Sequence, residues 1–170
     1  MNKIKQTLEL ATPEQVEEGK KWYREAHDYA VELSKEFGIE LNKVCGVISA
    51  MSPLKHWETN KKIARQFLEG KRNVHTKLQV SKAEWILEGK DIELCLGGLK
   101  TINFYWNILY PTDIRWCTID RHIIRMFNQR PSLTPKQYTT IKKEFVDYSS
   151  TLPEITCNVQ AVCWIVMRQT

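Results

Sequence analysis

The sequence is sparing with the residues that break helices. Its 170 residues hold 7 glycines and 6 prolines. No stretch alternates apolar and polar residues over a useful strand length, which argues against sandwiches and barrels. There are no internal repeats or low-complexity segments. The longest uninterrupted apolar run, Ala161 to Met167, is seven residues, against the roughly 20 that a membrane helix needs. The opening residues, MNKIKQTLEL, have neither a long apolar region nor a small-residue cleavage site, so no secretory leader is read there. The five cysteines (Cys45, Cys95, Cys117, Cys157 and Cys163) are odd in number, and no two have C-x-x-C spacing. Disulfide frameworks, zinc sites and iron–sulfur clusters all want denser sets. These read instead as buried, reduced thiols in a cytoplasmic protein.

What is present is a globular composition, 42% hydrophobic and 26% charged, in a length that suits one domain. The net charge of +5 permits a nucleic-acid partner without requiring one.

Helical spacing dominates the chain. Thr12-Pro13-Glu14-Gln15 combines an N-cap, a proline in the first turn and a glutamine three residues after the cap. From there Val16, Gly19, Trp22, Tyr23, Ala26, Tyr29, Ala30, Leu33 and Phe37 form an apolar stripe that Gly38 stops. Leu41 to Met51 is apolar nearly all round and predicts a central buried helix ended by Ser52-Pro53. Trp57 to Leu68 is amphipathic, with Lys61, Lys62 and Arg65 on its polar face. Gly70 to Val80 reads as a loop, and Ser81 to Glu84 as a capping box opening a short helix to Gly89. A helix over Leu99 to Leu109 is followed by one opened at Thr134-Pro135-Lys136-Gln137 and a buried one over Cys157 to Arg168. The expectation is all-α, about eight helices.

The stretch from Cys95 to Arg125 carries the chemistry. In Leu96-Gly97-Gly98-Leu99-Lys100-Thr101, a glycine turn runs into a helix whose first N–H groups face outward, where an anion can sit. In Thr118-Ile119-Asp120-Arg121-His122, Asp120 stands as N-cap to a helix turning Ile123, Ile124 and Phe127 inward. Taken bare, Asp120 is an ordinary cap, Lys100 a solvated charge and His122 a structural histidine.

Together, LGGLKT and IDRHIIR resemble the hairpin and the following segment of the helix-hairpin-helix DNA glycosylases, which run roughly L-P-G-V-G-x-K-T-A and then V-D-T-H-V-x-R. Lys100 and Asp120 lie 20 positions apart. Val44 to Gly70 is similar to the family's early helix pair, and Trp164 to Arg168 falls where its last core helix lies. The hairpin here is one residue shorter and lacks the proline. Met51 stands where many members have glutamine, and no cysteine array follows the last helix.

The resemblance implies an all-α fold of two helical subdomains with a cleft between them and no iron–sulfur cluster. Residues from about 41 to 125 would form the hairpin-bearing part, and 1–40 with 126–170 the other. It also implies a monomeric DNA N-glycosylase, with or without lyase activity, that extrudes and excises a damaged or modified base. No metal or organic cofactor is needed for that reaction. Asp120 would be the catalytic carboxylate and Lys100 the amine nucleophile. Leu96, Gly97, Gly98, Leu99, Thr101, Arg121 and Arg125 would contact DNA, and Met51, Lys55, His56, Trp57 and Asn60 would surround the flipped base. A relative of the same fold in a phage DNA base-modification pathway, acting on modified thymine without excising it, and a non-catalytic DNA-binding helix-hairpin-helix module fit the same residues.

Overall fold

The structure is a computed structural model and describes residues 2–127 and 129–170. Among the described residues the chain is all-α, with ten helices and no strand: α1 (Lys3–Glu9), α2 (Pro13–Phe37), α3 (Leu41–Ala50), α4 (Trp57–Leu68), α5 (Lys77–Leu87), α6 (Ile92–Leu96), α7 (Leu99–Leu109), α8 (Arg121–Met126), α9 (Pro135–Ser150) and α10 (Thr156–Arg168). None of them is long and apolar enough to cross a membrane.

The chain divides into two compact units, residues 1–26 with 110–170, and residues 27–109. This differs from the division expected at 40/41 and 125/126. The first boundary falls inside α2, whose continuous apolar stripe contributes to both units. The second falls before Pro111, where α7 ends, so Asp120 belongs to the first unit and Lys100 to the second.

In the first unit, α10 packs against α1, α8 and α9. Ile4, Cys117, Ile119, Ile123, Tyr138, Ile141, Phe145, Val159 and Cys163 form its buried core. The start of α2 is a capping box: Thr12 N–H donates to Gln15 Oε1 at 2.9 Å and Gln15 N–H to Thr12 Oγ1 at 3.2 Å. The same reciprocal pair opens α9 at Thr134 and Gln137. Gly19 lies against α10 with no room for a side chain: a Cβ there would fall 2.5 Å from Val162 Cγ2 and 2.7 Å from Val162 N.

In the second unit, α3 is the central element, buried from Val44 to Ala50 and packed by α4, α5, α6 and α7. Helix α5 starts earlier than the sequence suggests. Thr76, whose Oγ1 accepts from Gln79 N–H, is the cap, and Ser81 to Glu84 lies inside the helix. Val80, Ala83 and Ile86 supply the buried face, so burial extends the helix through a local capping signal. Helices α1 and α6 were not anticipated. Each is short and held by an N-cap, Asn2 for α1 and Asp91 for α6.

Leu54 is the one non-glycine residue with positive φ among the described residues, at 60°. It is 92% exposed. The turn around it is braced: Lys55 N–H donates to Ser52 O at 3.1 Å, and His75 Nε2 lies 3.0 Å from Pro53 O. Thr76 N–H donates to His75 Nδ1, so Nε2 carries the ring proton and donates to Pro53. A left-handed leucine costs about 1 kcal/mol or more, and this one recovers nothing by packing. Leu54→Gly is expected to raise the thermal midpoint by about 1–3 °C, because the relieved strain outweighs glycine's extra entropy in the unfolded chain. A lower midpoint in differential scanning calorimetry would contradict that.

Candidate active site

Asp120 ends a buried segment that lies outside the helices. Cys117, Thr118 and Ile119 are all buried, and Asp120 itself is half-buried at φ −102°, ψ −177°. Backbone that is buried outside a helix still needs hydrogen-bond partners. Here Tyr138 of α9 supplies two: its hydroxyl donates to Cys117 O at 2.8 Å and accepts from Ile119 N–H at 3.0 Å. Tyr23 of α2 hydrogen-bonds Thr118 and donates to Gln160 Oε1 of α10 at 2.7 Å. Burial pushes both phenols well above their ordinary range, so both hydroxyls stay protonated.

The Asp120 carboxylate caps α8. Its Oδ1 accepts from His122 N–H and from Ile123 N–H, each at 3.0 Å. Its second oxygen makes no hydrogen bond or ion pair among the described residues. One oxygen is therefore fixed and the other uncommitted. His122 stands edge-on to Trp164, ring centroids 6.4 Å apart. Burial lowers its pKa, and Arg121, Arg125 and Arg168 lower it further against the opposing pull of Asp120.

That shift fixes a pH dependence. The unfolded chain holds the imidazole proton more tightly than the folded one, so His122 contributes nothing to stability above about pH 6.5. As pH falls through that value, the unfolded state binds more protons and stability drops, levelling off below the folded pKa. Thermal midpoints between pH 7.5 and 5 should fall less steeply in His122→Gln than in wild type. Equal slopes would remove His122 from the account.

Arg125 is exposed, but its guanidinium donates to the carbonyl of Met167 at the end of α10, so it is tied to the fold. Arg121 is exposed and enters no ion pair among the described residues.

In the second unit, the Gly97-Gly98 turn joins the short helix α6 to α7. Gly97 takes φ 76°, a conformation L-residues adopt only at a cost. Its N–H closes α6 on Glu93 O, and Gly98 N–H bonds Leu96 O, each at 2.9 Å. The first-turn amides of α7, those of Leu99, Lys100 and Thr101, make no hydrogen bond among the described residues, whereas both glycine amides are used within the turn. The Leu96 side chain is buried in the core, and its carbonyl accepts from Lys82 Nζ at 3.1 Å. Thr101 Oγ1 donates to Gly98 O, while Thr101 O accepts from Ser49 Oγ at 2.7 Å. Trp106 Nε1 donates to Glu93 Oε1 and latches α7 to α6. Leu99 and Lys100 are exposed, and no carboxylate pairs with Lys100 among the described residues.

The expected base-pocket residues, also in the second unit, separate into two groups. Met51 and Asn60 are interior. Met51 is fully buried, and Asn60 Nδ2 donates to Ile48 O at 2.9 Å, locking α4 to α3. The carbonyl left open at the end of α3 explains why an asparagine is buried there. Lys55 and His56 are exposed on the braced turn beside Leu54. Trp57 is half-buried, edge-on to Tyr29 and Phe104, with Lys61 Nζ 5.6 Å from its ring centroid. Leu54 joins this exposed group, and its sequence signal was only the Pro53 that precedes a turn's second central position.

All five cysteines are free and buried. Burial pushes the Cys45, Cys157 and Cys163 thiols up to about 12. Among the described residues no three histidine, cysteine or acidic side chains converge as a metal set would.

The fold and these two segments define an all-α protein with a carboxylate capping α8 and a glycine turn between α6 and α7. The chain belongs to DUF7178, a family of unknown function whose model matches residues 1–170. Comparison with curated proteins and with solved structures gives no match.

Proposed function

We propose that this protein is a DNA N-glycosylase that takes a modified or damaged base out of the stack and cleaves its bond to deoxyribose. The observation that carries the reading is Asp120. N-glycosidic cleavage develops positive charge on the sugar, and a fixed anion beside the anomeric carbon stabilises it. Asp120 meets that need because its Oδ1 is held by two backbone N–H groups while its other oxygen makes no hydrogen bond or ion pair among the described residues.

The hairpin supports the same reading. The free amides of Leu99 to Thr101 and the Lys100 ammonium suit a backbone phosphate, which fixes register without reading sequence. On the braced turn, Leu54, Lys55 and His56 present an apolar tip and basic groups to bases and phosphates. Stacking and edge contacts of this kind read an extruded base. The chemistry itself calls for no metal or organic cofactor.

Lys100 is the amine of the lyase branch of this reaction. As the neutral amine it attacks the anomeric carbon; the C–N bond to the base breaks and the base leaves carrying the amine's proton, after which the ring C–O bond opens, its oxygen takes a proton, and a Schiff base to the opened sugar results. Borohydride should reduce that Schiff base to a stable protein–DNA cross-link. Lys100→Gln is expected to give no cross-link while holding DNA within about threefold of wild-type affinity, since one phosphate contact among several is lost. Base release by wild type without any trapped adduct would make water the nucleophile and Lys100 a phosphate contact only.

A further inference from the structure

We propose that Tyr138 is a positioning residue for Asp120, acting with Tyr23 as a clasp on the segment that delivers the carboxylate. The proposal rests on the glycosylase reading for its catalytic meaning, and on geometry for the rest.

The clasp is built from three helices of the first unit. Tyr138 comes from α9, Tyr23 from α2 and Gln160 from α10. The two phenols meet three consecutive residues, Cys117, Thr118 and Ile119, which lie outside the helices, while Gln160 holds the Tyr23 hydroxyl. A single phenol oxygen serves both sides of the segment, giving its proton to Cys117 O and taking one from Ile119 N–H. The second phenol holds the Thr118 side chain between them. Ile119 is the residue immediately before Asp120. The carboxylate is thus set from behind by Ile119 and from in front by the two N–H groups of α8.

Both hydroxyl protons are committed elsewhere, to Cys117 O and Gln160 Oε1. The clasp thus acts on the charge through the backbone of Ile119. Removing the Tyr138 hydroxyl takes one hydrogen bond from each of two buried backbone groups, Cys117 O and Ile119 N–H. The segment then shifts to recover partners, and Asp120 moves with it. Displacements of about 1 Å at a catalytic group can slow turnover by around a hundredfold.

The test compares Tyr138→Phe with Ile4→Val, a substitution that thins the same core while keeping both phenol hydroxyls. In free protein, amide exchange at His122 and Ile123 should quicken at least fivefold in Tyr138→Phe relative to the amides of α10, and move with α10 in Ile4→Val. On a base-containing duplex that wild type processes, Tyr138→Phe should lower kcat at least tenfold with DNA affinity within twofold, whereas Ile4→Val should leave kcat unchanged. An active wild type whose Tyr138→Phe variant matches Ile4→Val in either measurement overturns the clasp alone. A wild type that releases no base from any duplex overturns the glycosylase reading and the catalytic meaning of the clasp together.

Discussion

Gly19→Ala is expected to lower the midpoint of thermal unfolding by roughly 6–12 °C, a loss of about 3 kcal/mol for a chain of this size. An added Cβ would sit 2.5 Å from Val162 Cγ2, 2.7 Å from Val162 N and 2.8 Å from Val162 Cα. Two of these neighbours are backbone atoms inside α10, which cannot rotate away. The helices must therefore part, and the loss extends along the contact, including the edge-on pair of Trp22 and Trp164 at 5.8 Å. Alanine's better helix propensity returns only about 1 kcal/mol. Gly46→Ala provides the contrast. Its Cβ would meet Ile86 Cγ2 and Ile92 Cγ2 at 3.1 Å, both side-chain methyl groups rather than backbone, at a distance that asks for a shift of only a few tenths of an ångström. That variant should stay within about 1 kcal/mol of wild type, where propensity and crowding nearly cancel. Equal effects of the two substitutions in calorimetry would mean that α2 does not approach α10 as described.

Asp120→Asn is expected to slow base release by a factor on the order of 10³, with little change in stability. The amide keeps the shape and still offers an oxygen to His122 N–H and Ile123 N–H, and asparagine is as good an N-cap as aspartate. What it removes is the negative charge facing the sugar as it becomes cationic. Losing one preorganised electrostatic partner of a transition state typically lowers kcat by about 10²–10³. Asp120→Ala should lose activity as well, and in addition about 1 kcal/mol of stability with the cap. The pair separates the cap from the charge: stability follows the hydrogen-bonding oxygen, whereas activity follows the carboxylate. Single-turnover rates and unfolding midpoints on the same samples check both.

The helices that carry long apolar stripes were legible in the sequence, because each stripe states a period and a face. The α2 stripe from Val16 to Phe37, the all-round apolar α3 and the capping boxes at Thr12 and Thr134 need only local spacing to be read. Helices α1 and α6 escaped because seven and five residues give too little periodicity, and their signals reduce to single caps, Asn2 and Asp91. The box at Ser81 misled for the opposite reason. Its local chemistry is correct, but Val80 on its N-terminal side is buried, and tertiary burial starts the helix at Thr76's cap instead.

At the site, Asp120 as N-cap followed from residue order alone. The clasp behind it did not, since Tyr23, Tyr138 and Gln160 come from distant parts of the chain and each looks like ordinary stripe material. Met51 and Asn60 show the same limit. Their places beside an exposed loop were readable, but their burial depends on the packing of α3 against α4. Gly19 lay on the stripe, yet only the structure gives the 2.5 Å that makes it irreplaceable.

The central claim is that Asp120 supports cleavage of a base from DNA. Its most direct measurement is mass analysis of duplex oligonucleotides, each carrying one of a panel of modified or damaged bases, after incubation with wild type and with Asp120→Asn. The account predicts, for at least one base, an abasic or cleaved product with the free base recovered, formed by wild type and slowed by orders of magnitude in the variant. Intact oligonucleotides throughout, a base that gains mass while staying attached, or a product formed equally fast by Asp120→Asn would contradict it.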